Sequence, residues 1–479
     1  MSKILDWINK NEDIKKKDAV VYRKNEEYLA ISYEQLYNYI NSLSFFLKDY
    51  KNKTIAIIGN NKLEYVISLL SIICNIGDVF LVDKESKQND IENMFNTIKP
   101  DLVILDDELD FCFNIKTITF EIINIEMKKQ NKFETDKTFS GNLILHTSGS
   151  TGKPKYVKLS EEKYTYIIKD LNVSWRVNDT HSCLFIIPLY HVYALISLFH
   201  GLYAGVTNIL EYDSKRLTDV LKKTSPSIFL GVPFVFNKIK DNIYEKAGNK
   251  LNFAISFSNL LLMFNVDIRK RLFKDIHSYF GNNYYFSVSG GAQADPKTNK
   301  FFNDIGLPVY NGYGLTETCG PVAICYENNN IYESVGKILN NDVIIINKNC
   351  NGIGEICIKG KNIFDGYIGE NNDNIFIDGY FKTGDLGYVK NNFLYITGRN
   401  KKLLIGDNGK NISADELIDK ILENDKIIDC SITMQDNKII AIISSSLSYE
   451  EANQFIDSLN DRLPKYKQIS EIKIVNKGF

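Results

Sequence analysis

Residues 143–155 gather side chains suited to one kind of chemistry. Thr147, Ser148, Ser150 and Thr151 supply four hydroxyls. Gly149 and Gly152 let backbone N–H groups approach an anion closely, and Lys153 and Lys155 add mobile positive charge. Together these are equipment for holding a polyphosphate. An apolar run, Leu143 to Leu145, delivers the chain into the loop and reads as a short buried strand. The spacing differs from the common phosphate loop, G-x-x-x-x-G-K-[ST]: the residue five before Gly152 is Thr147, and Pro154 follows Lys153. A proline there pushes Lys153 away from helical geometry, so a strand-loop-helix cradle is not expected. Taken alone, the composition also fits a solvated Ser/Gly turn between strands.

Four later stretches carry residues of the same character. Residues 284–292 read as a strand ending in a small-residue turn, Gly290, Gly291 and Ala292, against which a planar base or a phosphate can lie. Residues 309–317 hold Asn311, Gly312, Tyr313, Gly314, Thr316 and Glu317. Residues 379–385 end on Asp385, and residues 398–401 contain Arg399 and Lys401. In this order, and together with the loop from Thr147 to Lys155, they resemble the signatures of the acyl- and aryl-adenylating (AMP-forming) enzymes. The long-chain fatty acyl-CoA synthetases are the most similar branch, and the resemblance spans nearly the whole chain.

That resemblance implies a role for each residue. Tyr313 offers a flat face for adenine and Asn311 meets its amino edge, with the Gly290–Gly291–Ala292 turn alongside. Thr316 binds phosphate and Glu317 holds Mg²⁺, a cation that favours oxygen ligands. Asp385 accepts hydrogen bonds from the ribose hydroxyls, and Arg399 makes a second ribose or phosphate contact. Lys401 matches the hinge about which a small C-terminal domain rotates. Gly409, in the 403–416 loop, lets the pantetheine arm of CoA pass. His191, in the Pro188-Leu-Tyr-His segment, falls where the family borders its acyl pocket; a lone histidine is more often a packing residue. In amino-acid-activating relatives this segment carries an aspartate for the substrate ammonium. Residues 188–194 contain no carboxylate, and a buried ammonium without a partner is costly, so an amino-acid substrate is disfavoured.

These residues need elements to position them. Residues 53–59 read as a buried strand, and Asn60 can cap the helix that follows, whose Leu63, Val66, Ile67, Leu70 and Ile73 share a face. Residues 79–82 and 102–105 read as further strands with a helix at 89–98 between them, and such alternation argues for a parallel sheet covered on both faces. Ser160 opens another helix. Residues 182–194 read as a strand leading into an apolar helix that runs to about Gly205. Residues 354–360 and 362–367 read as strands of a small β subdomain. Ser413 can cap a helix from Ala414. The expected fold is α/β: a large N-terminal domain (1–400) of helix-covered sheets plus a small β subdomain, then a small α+β lid (401–479).

The chain has 479 residues, 44% hydrophobic and 24% charged, which bounds a globular protein of two or three domains. A net charge of −2 offers no nucleic-acid surface. Eight cysteines without C-x-x-C spacing fit a reducing cytoplasm. The apolar stretches at 65–76 and 192–206 are shorter than a spanning helix, so any membrane contact is expected to be peripheral.

The expected reaction is ATP- and Mg²⁺-dependent activation of a carboxylic acid, with a fatty acid favoured by the apolar segments, followed by transfer to a thiol, that of CoA. Loading of an acyl carrier protein is the first alternative. The second is an ATP-binding pseudoenzyme, because the family's P-x-T-x-x-G-K segment, with its catalytic lysine, is not found before Phe479. The C-terminal domain is accordingly expected to be truncated relative to the family.

Overall fold

Continuous apolar runs flanked by turns form strands that are buried on both faces. Thr54–Ile58, Asp78–Val82 and Leu102–Leu105 are such runs, and they lie side by side and parallel. With Thr117–Thr119, Leu143–Thr147 and Lys155–Leu159 they make a six-stranded sheet. The computed structural model describes residues 2–134, 136, 139–147, 154–248, 250–399, 403–405, 411–435, 438–463 and 467–475.

The last two strands of this sheet are antiparallel and register Leu143 on Leu159 and Thr147 on Lys155. The chain therefore leaves the phosphate-loop residues on a strand and not on a helix, as the proline predicts. Residues 148–153, the greater part of that connection, lie outside the described residues. The helix after the first strand, Leu63–Ser71, is buried nearly throughout and ends in a π turn, Ile72–Ile76, before Gly77. A Cβ on Gly77 would lie 1.9 Å from the Lys53 carbonyl oxygen, so close backbone approach requires glycine there. Asn60 does not cap this helix: its amide donates to Asp106 at 2.8 Å, and Lys62 occupies the cap position.

A second, larger sheet runs in the order Gly336–Ile338, Gly320–Ile324, Val309–Leu315, Phe286–Ser289, Ile228–Gly231, Ser182–Phe185, Thr207–Leu210, Asp18–Lys24 and Glu27–Ser32. Its five central pairings are parallel and its margins antiparallel. Helices Glu161–Trp175 and Val192–Ala204 pack on each other, with the Tyr164 and Phe199 rings 5.0 Å apart. Gly205, at φ +76°, ends the second of these, where the sequence places its end.

The chain divides into two units. The first comprises residues 1–342, 359–381 and 391–394, and contains both sheets above. The second comprises 343–358, 382–390 and 395–479. The division falls within the stretch read as a small β subdomain. Strands Asp342–Ile346, Gly354–Lys359, Tyr380–Lys390 and Phe393–Arg399 lie next to one another in that order. Residues 362–367 are not a strand; a single bridge joins Tyr367 to Val157. Further along, Leu403–Ile405 pairs antiparallel with Asn411–Ser413, and helix Ala414–Ile421 follows Ser413. Strands Ile427–Gln435, Lys438–Ser445 and Glu471–Val475, with helix Tyr449–Asn460, enclose an α+β core around Leu417, Ile443, Ile456 and Ile472. Among the described residues, no helix is long and apolar enough to cross a membrane.

Candidate active site

Residues 309–320 are shaped by backbone crowding before any ligand is considered. A Cβ on Gly314 would stand 2.1 Å from the Gly320 carbonyl oxygen, so only glycine fits. The ladder slips between Tyr313 and Gly314, which bends the strand out of the sheet. Thr318 locks the turn that results: its hydroxyl accepts from the Leu315 N–H at 2.8 Å and donates to the Gly320 carbonyl at 2.7 Å. The preceding two residues, Thr316 and Glu317, are thereby held at the turn.

Glu317 is 9% exposed. One carboxylate oxygen, Oε1, accepts from the Tyr367 hydroxyl at 2.6 Å. The second makes no hydrogen bond among the described residues. Tyr367 also reaches the other motif: the Lys155 ammonium lies 4.6 Å from its ring centroid, a cation–π contact. One tyrosine thus joins the start of strand Lys155–Leu159 to Glu317. Segment 360–368 is tied in place for this. The Phe364 N–H donates to the Glu317 carbonyl at 2.8 Å, the Asn362 amide to Thr318 O at 2.7 Å, and the Ile368 N–H to Tyr156 O at 3.0 Å. Lys163, from the helix after the hairpin, donates to Ile363 O at 2.6 Å and pairs with Asp365.

The carboxylate suits a magnesium ion. Among the described residues no group of three His, Cys, Asp or Glu could hold a metal. A magnesium ion held by Glu317 would take further ligands from phosphate oxygens and water. That is the usual way Mg²⁺ is held on a nucleotide.

Gly290 is buried and bonds through its N–H to Gly231 O at 3.3 Å. Behind it stands Tyr193, whose ring would be 3.4 Å from an added Cβ, and whose hydroxyl donates to Val288 O at 2.9 Å. Gly291, at φ +82°, and Ala292 are exposed. Asn311 is 6% exposed and its amide is largely committed inside the fold. The NH₂ donates to Ser334 O at 3.1 Å and Tyr332 O at 3.4 Å, and Oδ1 accepts from Asn299 at 2.5 Å. Only a second lone pair on Oδ1 remains to meet an amino edge. Gly312 and Tyr313 are half-buried.

His191 stands at the N-terminal boundary of helix Val192–Ala204 without a side-chain capping bond and has accessible surface, yet protein crowds it: desolvation lowers its pKa, with Asp83 opposing. A second histidine stands nearby in the same electrostatic environment. His146, directly before Thr147, accepts the Asp83 N–H at Nε2 over 3.2 Å; burial lowers its pKa, Asp83 raises it, and His191 lowers it further. In both, burial disfavours the imidazolium form. Sequence reasoning missed His146 although it lies inside the loop motif, and missed Tyr367. The adjacent Gly366-Tyr367 pair after an apolar Ile363-Phe364 is the signal that marks the latter.

The second unit carries its own pair. Asp385 is 6% exposed and accepts from Arg399 Nε at 2.7 Å. Thr383 steadies the loop by accepting from Asp385 N at 3.0 Å and donating to Ile356 O at 2.8 Å. Ser148, Gly149, Ser150, Thr151, Gly152, Lys153, Lys401 and Gly409 lie outside the described residues.

Comparison with known proteins follows the same lines. The human protein "Long-chain-fatty-acid--CoA ligase ACSBG2" is 30% identical over 308 residues, 58% of this chain and 46% of that protein. A Mycobacterium bovis protein, "Long-chain-fatty-acid--CoA ligase FadD15", is 31% identical over 301 residues, 58% of this chain and 50% of that protein. The chain spans about half the length of the curated relatives it matches. Among solved structures, o-succinylbenzoate CoA synthetase (MenE) of Bacillus subtilis with its acyl-adenylate superposes at TM-score 0.75 and 20% identity, over 100% of this chain and 95% of that one. ATP-bound MatB of Rhodopseudomonas palustris gives 0.74 and 19%, over 99% and 95%. These two establish the fold. The family profile described as AMP-binding enzyme matches residues 9–368, three quarters of the sequence, and the chain belongs to that family.

Proposed function

We propose that this protein activates a carboxylic acid with ATP, releasing pyrophosphate and forming an acyl-adenylate, and then passes the acyl group to the thiol of CoA. The observation that supports this best is the junction at Tyr367, which holds Glu317 and Lys155 on one side chain. A polyphosphate lying on the Thr147–Lys155 hairpin meets there the carboxylate that would hold its metal. When bound, Mg²⁺ neutralises charge on the departing pyrophosphate. Thr316 and Lys155 are assigned to the phosphates, and Tyr313, Asn311 and the Gly290–Gly291–Ala292 turn to the base. Asp385 and Arg399 are assigned to the ribose by the third signature. His191 is assigned to the border of the acyl pocket.

A fatty acid is the favoured substrate. Residues 188–194 offer no carboxylate to an amino acid, and the curated relatives named above are long-chain-fatty-acid ligases. The eight free thiols accord with a cytoplasmic setting. The experiment is carboxylate-dependent ATP–pyrophosphate exchange with palmitate, octanoate, benzoate and an amino-acid mixture, followed by acceptor comparison between CoA and a phosphopantetheinylated carrier protein. The reading expects exchange with palmitate above the others and thioester on CoA. Exchange driven by benzoate or amino acids overturns the fatty-acid assignment, and acylation of the carrier alone overturns the acceptor.

A further inference from the structure

Helix Lys250–Leu262 is apolar on two opposite faces. Its inner seam follows Leu251, Ile255, Ser258 and Leu262. Leu251 and Ile255 join the cluster around Phe236, Phe301 and Phe302, and Ser258 is fully buried. Two residues further along, about 200° around a helix that turns about 100° per residue, the same spacing repeats on the outside. There Phe253, Phe257 and Leu260 are 77%, 45% and 53% exposed. Met263 and Phe264, in the turn beyond, continue the surface at 80% and 71%. A contiguous exposed apolar surface of this kind marks a contact.

The charge around this surface says what covers it. No carboxylate occurs between Glu245 and Asp267. Lys246 and Lys250 lead into the helix, Lys270 and Arg271 follow the turn, and all four are exposed. Residues 233–280 hold eight Lys/Arg against four Asp/Glu, whereas the whole chain has 57 against 59, so the positive excess is local. A second copy of the chain would bring these positive flanks against each other across a two-fold axis, which disfavours self-association.

We propose that this face docks on an anionic lipid bilayer. The aromatic and aliphatic side chains enter the boundary between headgroups and acyl chains, and the flanking Lys and Arg meet the anionic headgroups. The inference rests on the surface alone and holds whichever acid the active site takes.

The test is flotation of the full chain with phosphatidylcholine vesicles and with vesicles containing phosphatidylglycerol, at low and high salt. The anionic vesicles should carry the protein about tenfold or more better than the neutral ones, and salt should weaken the difference. Phe257→Ser with Phe264→Ser should reduce binding to both, while Lys250→Glu with Arg271→Glu should abolish the preference for anionic lipid. Circular dichroism and the melting temperature monitor folding, and Phe253→Ser alone serves if the double variant does not fold. Three outcomes overturn the proposal: no flotation with anionic vesicles, variants that bind as the unaltered protein does, or a dimer in sedimentation velocity that Phe257→Ser with Phe264→Ser dissolves.

Discussion

Tyr367 makes two contacts that can be separated. Tyr367→Phe removes the hydrogen bond to Glu317 and keeps the ring beneath Lys155; Tyr367→Ala removes both. A hydrogen bond to a charged group contributes roughly 1.5–3 kcal/mol. The phenylalanine variant should therefore lose about tenfold to a hundredfold in ATP–pyrophosphate exchange, and the alanine variant more, read with Mg²⁺ titrated in each. Equal rates for Tyr367→Phe and the unaltered protein would leave the hydroxyl without a role. Asp385→Ala should weaken an acyl-adenylate analogue in calorimetry, since two hydrogen bonds of that size to the ribose are assigned to one carboxylate. Unchanged affinity in a folded variant would remove Asp385 from the site. At this scale the sequence shows types and not partners. Glu317 is legible because its neighbours in the chain form a signature. Tyr367 is not, because its place depends on segment 360–368 folding across a hairpin two hundred residues earlier. Asn311 is legible as a candidate, but its ties to Asn299, Tyr332 and Ser334 are invisible locally.

The elements that carry these residues are held by close backbone approach and by buried polar groups. Gly314→Ala would drive a methyl into the Gly320 carbonyl, 2.1 Å away, with no flexible side chain to yield. The expected result is loss of about a hundredfold or more in exchange activity, because Thr316 and Glu317 move with the turn, and a destabilisation of about 2 kcal/mol or more. Exchange at the unaltered rate would contradict the account of the turn. Helix Val192–Ala204 buries His200 beside Trp175, with Nε2 3.2 Å from Asn172 Oδ1, and burial lowers its pKa from 6.5 to about 4. The unfolded chain therefore binds this proton first. The stability from the neutral ring is complete above about pH 6.5 and is lost as pH falls toward about 4, on the order of 3 kcal/mol in all. Melting curves between pH 7.5 and 4.5 should fall more steeply for the unaltered protein than for His200→Gln; parallel curves would contradict the assignment. Most of these elements are readable in the sequence. The strands at 53–59 and 102–105, the helix opened by Ser160 and the stop at Gly205 all follow from apolar period and punctuation. Residues 362–367 mislead, because their apolar residues serve a clasp around Glu317 and Thr318 and not a ladder.

At the scale of the whole molecule, each unit joins segments far apart in the chain. A reader of the sequence places a boundary at the Lys401 signature. In the structure 343–358 and 382–390 group with 395–479. The α/β class and the family were within reach of the sequence because both are carried by short signatures in a fixed order. The same signatures lead to a single central claim: the protein makes an acyl-adenylate. The measurement that addresses it is isotope transfer. Palmitate labelled with heavy oxygen in its carboxylate is turned over with ATP, Mg²⁺ and CoA, and the nucleotide product is weighed by mass spectrometry. If the carboxylate attacks the α-phosphorus and the thiol then attacks the acyl carbon, the bridging oxygen leaves with the nucleotide. The account predicts AMP carrying one heavy oxygen, formed together with pyrophosphate and thioester. Unlabelled AMP, or ADP with inorganic phosphate, would contradict it.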